Sequence, residues 1–385
     1  MKQFEKYLLV VFLFENVAAQ TRLLGGVSGW LFYAAIVSGV LLFFSPTLWN
    51  RDTIRSCWWA YALSAIYLIY EFFVGNDTIS SQTLLYLAAK VTSFMIIVVG
   101  VASNYEFYRD KMLFPLAVWM TFFLLYGLLT GGFVGGGESR LYLGYANPNT
   151  TSHMGATIIG LVMFSGEKRR KMLRWFMIAV GLYALFGGGS RSGMLLMAFF
   201  LIFKYGFKMK IVVPVVLGYI LISVLLPAIG LETTGIERIQ GTLTGNEGLN
   251  RDYEREAAMV MIEEKPWTGW GFGAKNVGRA ASISEMGSHN GYLETIKYMG
   301  YPMGGLWLTI AVLATISVSF TLLRKKIRHN FHLANAVATL ALAMFEGYFV
   351  GVHEFATNYF FVSLAIISVE AYWNKTIVKQ NGIHY

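Results

Sequence analysis

The sequence predicts an all-α, polytopic membrane protein of about 12 transmembrane helices, with one large outer loop between spans 9 and 10. Three observations predict it. Of the 385 residues, 56% are hydrophobic and 14% charged, against ~25% charged in a soluble domain. Apolar runs of roughly 17–22 residues recur along the chain, the length that crosses a bilayer as a helix. Between residues 231 and 290 that pattern gives way to a polar, Gly-rich, charge-dense stretch. Loops carried on a rigid scaffold are where chemistry concentrates.

Taken in order, the spans fall near 6–19, 28–45, 57–74, 84–102, 112–130, 150–165, 174–187, 191–203, 211–230, 291–320, 333–351 and 355–373. The first is short and interrupted by Glu15 and Asn16. The connection 131–149 is rich in glycine, which suits tight turns, and ends in Asn147-Pro148-Asn149. A third polar feature, Gly187-Gly188-Gly189-Ser190-Arg191-Ser192-Gly193, separates two short spans and so is expected to dip below the outer interface. Within the long loop, Tyr253 to Glu264 reads as a helix. Asn250 is its expected N-cap, Glu254 and Glu256 suit its first turns, and Pro266 ends it.

The net charge of +9 is a matter of topology. With the N-terminus inside, 20 of the 31 Lys and Arg fall in inner connections such as Arg51/Arg55, Lys168–Lys171 and Arg324–Arg328; nine fall outside. The positive-inside rule then puts both termini in the cytoplasm and the 231–290 loop outside. That loop carries more acidic than basic residues, which argues against nucleic acid and leaves some attraction to anionic membrane lipid. The single cysteine, Cys57, excludes an intramolecular disulfide and a Cys-rich metal site. No cleavable leader is expected after the apolar residues 7–19. There is no internal repeat, so the chain reads as one membrane domain.

Four arginines are expected at the outer face: Arg140, Arg191, Arg251 and Arg255. A guanidinium is always charged and its planar fork pairs two donors with phosphate oxygens. Arg191, between glycines and Ser-Gly at the mouth of two short spans, is costly to desolvate unless it meets an anion; the bland alternative is a snorkelling interfacial side chain. Arg251 and Arg255 could equally form surface ion pairs with Asp252, Glu254 or Glu256, and Arg140 with Glu138. His289, in Ser288-His289-Asn290-Gly291, sits where the loop re-enters the membrane and could be a general base on a sugar hydroxyl or a capping residue. Nearby arginines are expected to keep it neutral. His153 could line the same cavity, with Glu294 a second substitute base. His329 and His332 read as solvated residues of a basic inner loop, and His353 and His384 as peripheral. No D-x-D, H-E-x-x-H, P-loop or nucleophile elbow is present. No metal site and no cofactor are therefore expected, and arginines would have to neutralise phosphate.

From about 174 to 310 the chain resembles the O-antigen ligase/polymerase family, the Wzy–WaaL group of bacterial surface-polysaccharide enzymes. The pieces are Gly189-Ser190-Arg191-Ser192-Gly193, Arg251, Pro266-Trp267-Thr268-Gly269-Trp270-Gly271, Ser288-His289-Asn290-Gly291-Tyr292, and Met299-Gly300-Tyr301-Pro302-Met303-Gly304-Gly305, with Arg140 and Asn147-Pro148-Asn149 upstream. Arg255 departs from the family, which often has Trp there. The resemblance implies a GT-C-like scaffold in the bacterial inner membrane and a donor glycan on undecaprenyl diphosphate. It implies that Arg191 and Arg251 hold the diphosphate and His289 activates the acceptor. Arg140, Arg255, Asn147, Asn149, Asn290 and Tyr292 are candidate substrate contacts. A chain-length regulator and a flippase are candidate partners. Polymerase and ligase share these motifs; polymerase is favoured, a ligase transferring to lipid A-core is the alternative, and a lipid-linked oligosaccharide transporter is the further one.

Overall fold

Inside hydrocarbon a chain has to satisfy its own amides, and helices do so segment by segment. The computed structural model describes residues 2–21, 26–78, 81–130, 140–145, 147–206, 249–327, 330–352 and 354–380. The expected span 211–230, the loop stretch 231–248, the glycines of 131–137 with Glu138, and His329, His353 and His384 lie outside the described residues, as does the side chain of Arg251. In chain order the helices are α1 Lys2–Ala19, α2 Gly26–Val40, α3 Arg51–Ser56, α4 Trp58–Thr78, α5 Ser81–Ser103, α6 Leu113–Leu129, α7 Pro148–Phe164, α8 Lys171–Gly188, α9 Arg191–Tyr205, α10 Leu249–Glu264, α11 Gly278–Ile283, α12 Gly291–Arg324, α13 Phe331–Leu342 and α14 Phe355–Gln380. The protein is all-α and polytopic. Among the described residues, Thr83–Ser103, Gly291–Arg324 and Phe355–Trp373 are long and apolar enough to cross a membrane.

α5 and α14 form the centre, wrapped by α1, α2, α4, α12 and α13, and α7 packs between α8, α9 and α6. The α7–α8 approach depends on small residues: a Cβ on Gly155 would lie 2.4 Å from the Gly181 carbonyl oxygen, the close backbone contact that glycine permits between membrane helices.

α12 is one helix broken at Gly300 (φ 70°, ψ 171°), two residues before Pro302. The break frees carbonyls, and the Pro266–Gly271 turn occupies them: Trp270 and Gly271 donate their N–H groups to the carbonyls of Lys297 and Tyr298, both at 3.0 Å. Tyr301 N–H donates to Pro266 in return at 2.7 Å, and the Tyr70 hydroxyl reaches both Thr268 and Tyr298 carbonyls. Two sequence motifs about 30 residues apart are thus the two halves of one joint, in which a loop supplies the donors a kinked helix lacks.

Three expectations need correcting. The eleventh apolar run, 333–351, is helical only to Leu342; residues 343–352 are irregular, held by Lys90, whose ammonium donates to the Phe349 and Gly351 carbonyls. A buried ammonium takes main-chain oxygens because it has no water to meet. His332 is not solvated: it is 1% exposed, its ring placed 3.3 Å from both Ser363 Oγ and the Arg109 carbonyl. Asn250 lies inside α10 rather than capping it.

Candidate functional site

Three helix starts, the end of α8 and residues 343–352 converge at one end of the bundle. Asn147 caps α7 by accepting from Asn149 N–H at 2.8 Å. α8 ends in a left-handed Gly189, and Ser190 caps α9. Asn290 caps α12, accepting from the N–H groups of Tyr292 and Leu293. Asn and Ser serve here because their oxygens accept from the first-turn donors that have no helical partner.

His289 stands on the crest of this last turn with φ +46°, a conformation uncommon outside glycine and worth a functional question where it occurs. The turn is fixed on both sides. Ser288 N–H donates to Glu294 Oε1 at 2.7 Å, and Glu294 is held by Lys297 at 2.8 Å, both side chains buried. Glu294 therefore serves as a brace. The ring of His289, 31% exposed, has Glu254 Oε1 3.9 Å from Nε2 and Glu346 Oε2 4.0 Å from Nδ1. These ring contacts are carboxylates, where the sequence reading placed arginines.

Behind Glu346 runs a chain of short hydrogen bonds. Ser192 Oγ donates to Glu346 Oε1 at 2.5 Å. Ser192 Oγ also lies 2.8 Å from His153 Nε2 and 2.8 Å from Ser190 Oγ. The Tyr348 hydroxyl is 2.7 Å from His153 Nδ1. A hydroxyl has one proton. Once Ser192 gives its proton to Glu346, Nε2 of His153 must be the donor to Ser192 and Nδ1 the acceptor from Tyr348. One neutral tautomer of His153 satisfies every link, and all links point toward Glu346. His153 and Tyr348 also line a cavity of about 40 Å³, room for two or three waters. Glu354 lines it as well; burial pushes that carboxyl up to about 7, opposed by the Thr357 hydroxyl and Lys90 and reinforced by Glu346.

The arginines divide. Arg191 is the first residue of α9, half-buried, next to Ser192. Arg251 lies in the first turn of α10, one turn before Glu254. Arg255 is turned outward, 4.0 Å from an exposed Asp252. Arg140 is 6% exposed and works as a strut: its guanidinium donates to the Gly188 carbonyl and to Asn149 Oδ1 at 2.6–2.9 Å, which ties the end of α8 to the start of α7. Asn147, Asn149, Asn290 and Tyr292 also have main-chain or bracing duties, the Tyr292 hydroxyl donating to the Leu340 carbonyl at 2.8 Å. The residues that sequence reasoning missed are Glu346, Glu254, Ser192 and Tyr348. For Glu346 a signal existed: an ionisable residue in an apolar run is a functional candidate by default.

A family model described as O-antigen ligase matches residues 176–308, the stretch that runs from α8 to the first half of α12 and carries Arg191, Arg251 and His289. The match supports the resemblance at the level of the ligase/polymerase family. No protein of curated function matches the chain.

Proposed function

We propose that the protein is a membrane glycosyltransferase that polymerises oligosaccharide repeat units carried on undecaprenyl diphosphate, at the outer face of a bacterial inner membrane. The observation that carries this reading is the shared neighbourhood of Arg191 and His289. The helix that Arg191 starts also presents Ser192 to one oxygen of Glu346, and the other oxygen faces His289. In this reading the helix start that carries a cation for the leaving diphosphate is joined, through Ser192 and Glu346, to the base for the attacking hydroxyl.

In this mechanism the acceptor sugar's O–H proton moves to a ring nitrogen of His289. The acceptor oxygen bonds to the donor's anomeric carbon as that carbon's bond to the diphosphate oxygen breaks. The diphosphate keeps the electron pair, and Arg191 with Arg251 stabilises the charge that develops on it. Arginine rather than a metal is the counter-charge. Both termini lie in the cytoplasm, and a chain-length regulator and a flippase act with the enzyme.

The test is reconstitution with a lipid-diphosphate oligosaccharide. A ladder of products spaced by one repeat unit supports the polymerase; transfer of preformed chains to lipid A-core alone supports a ligase; no transfer to either acceptor rejects both. Topology is tested separately. A thiol at the exposed Ser282, in a Cys57→Ser background, should react with an impermeant reagent in intact spheroplasts, and labelling only after lysis would reverse the orientation.

A further inference from the structure

We infer that Glu346 is the positioning residue for His289, and that Ser192, His153 and Tyr348 hold its carboxylate in place. The inference rests on the role of His289 proposed above. A base works best when a third group fixes its ring, and a carboxylate beside the imidazole does so while stabilising the cation formed on proton transfer. Glu346 is placed for this. It is 6% exposed, in the irregular segment that replaces the end of an expected helix. One oxygen accepts from Ser192 at 2.5 Å, and the other lies 4.0 Å from His289 Nδ1.

The supporting chain is built from separate elements: Ser192 from α9, His153 from α7, Tyr348 from the irregular stretch 343–352. Its uniform polarity gives every hydrogen bond a donor and an acceptor only while Glu346 accepts. A buried network satisfied in one arrangement rigidifies the groups at its end. The backbone reinforces the geometry, since Gly291 N–H donates to the carbonyls of Ala343 and Glu346 at 2.8 and 2.9 Å. The turn that bears His289 is thereby pinned to the segment that bears Glu346. Glu254, 3.9 Å from Nε2, faces the ring from the other side on α10; when the acceptor hydroxyl occupies that side, Glu346 remains as the fixed partner.

The decisive variant is Glu346→Gln, which keeps an oxygen for Ser192 and the side chain's shape and removes only the charge. In the reconstituted ladder assay its kcat should fall about 10²-fold or more, below the ~10⁴-fold that loss of an orienting carboxylate can cost, with KM for the lipid-linked donor unchanged. Ser192→Ala should lower kcat less, and the double variant should be no worse than Glu346→Gln, because Ser192 acts through Glu346. A substrate-free readout runs in parallel: the rate at which diethyl pyrocarbonate modifies His289 at fixed pH, followed by mass spectrometry. Glu346→Gln should change that rate several-fold, and Ser192→Ala should move it in the same direction. Near wild-type kcat in the Gln variant, multiplicative losses in the double variant, or an unchanged modification rate would each overturn the inference. If the wild type makes no product from the lipid-diphosphate donor, the functional reading fails, and the modification rates still decide whether Glu346 governs His289.

Discussion

α12 and α13 begin almost identically and do different things. Each is capped by an asparagine whose side-chain oxygen accepts from two first-turn amides, Asn290 from Tyr292 and Leu293, Asn330 from His332 and Leu333. Each has a histidine beside the cap. His332 follows its asparagine, so it enters the first helical turn and is buried between α14 and the Arg109 carbonyl. His289 precedes its asparagine, so it is left outside the helix with positive φ and a partly exposed ring between two carboxylates. A shift of three positions relative to the cap separates a packing histidine from an available one. The motif therefore has to be read by position within the cap, not by residue type.

The largest effect that would sharpen this contrast is at His289. His289→Ala should reduce turnover by about 10²–10⁴-fold, the usual contribution of a general base, with donor binding retained. His289→Gln should not rescue, since an amide hydrogen-bonds but takes up no proton at neutral pH. Long-chain product from the Gln variant would reduce His289 to an orienting group and erase the distinction from His332.

Next comes Arg191, which begins a helix start of the same kind on α9. Arg191→Lys keeps the charge but not the fork. It should cost on the order of 10²-fold in kcat, the scale of losing one transition-state donor; near wild-type activity would make it a snorkelling anchor. Arg255→Ala should be milder than Arg251→Ala, because the exposed Asp252 pair contributes ~0–1 kcal/mol at most. Equal losses would mean that the other face of α10 meets substrate.

His332→Ala tests the opposite arm. It removes the ring from Ser363, which keeps the Asn335 amide as donor, and from the Arg109 carbonyl, which should destabilise the protein by about 1–3 kcal/mol, seen as a lower unfolding temperature in detergent. Turnover per folded molecule should hold. A catalytic defect with normal stability would break the comparison.

The smallest effect concerns the start of α14, where Glu354 accepts from the Thr357 hydroxyl at 2.5 Å. Its folded-state carboxyl, raised to about 7 from 4.5 by burial, binds a proton more tightly than the unfolded chain does. Its contribution is thus fully present below about pH 4.5 and is lost as pH rises toward 7. Glu354→Gln should flatten thermal stability between those values; an unchanged slope would place the titration elsewhere.

Much of this architecture is legible in the sequence because its causes are local. Apolar length makes the helices. From sequence only Asn250 is expected as a cap and 291–320 as one span, although the caps Ser190, Asn147 and Asn290 and the Gly300 break in α12 also have local causes. His289 and Arg191 can be picked out for the same reason, as polar residues that the hydrocarbon pattern cannot explain. Tertiary structure decided the rest, and the reason is distance along the chain. Ser192 and Glu346 are 154 residues apart, His153 and Tyr348 195 apart, and a hydrogen bond depends on angstrom-scale placement that no local pattern records. The same holds for Arg140, whose strut to Gly188 exists only because α7 and α8 pack closely, and for the irregular stretch 343–352. Its run of apolar residues spells a helix, but Lys90 of α5 and Gly291 of α12 bind its main chain and hold it out of one.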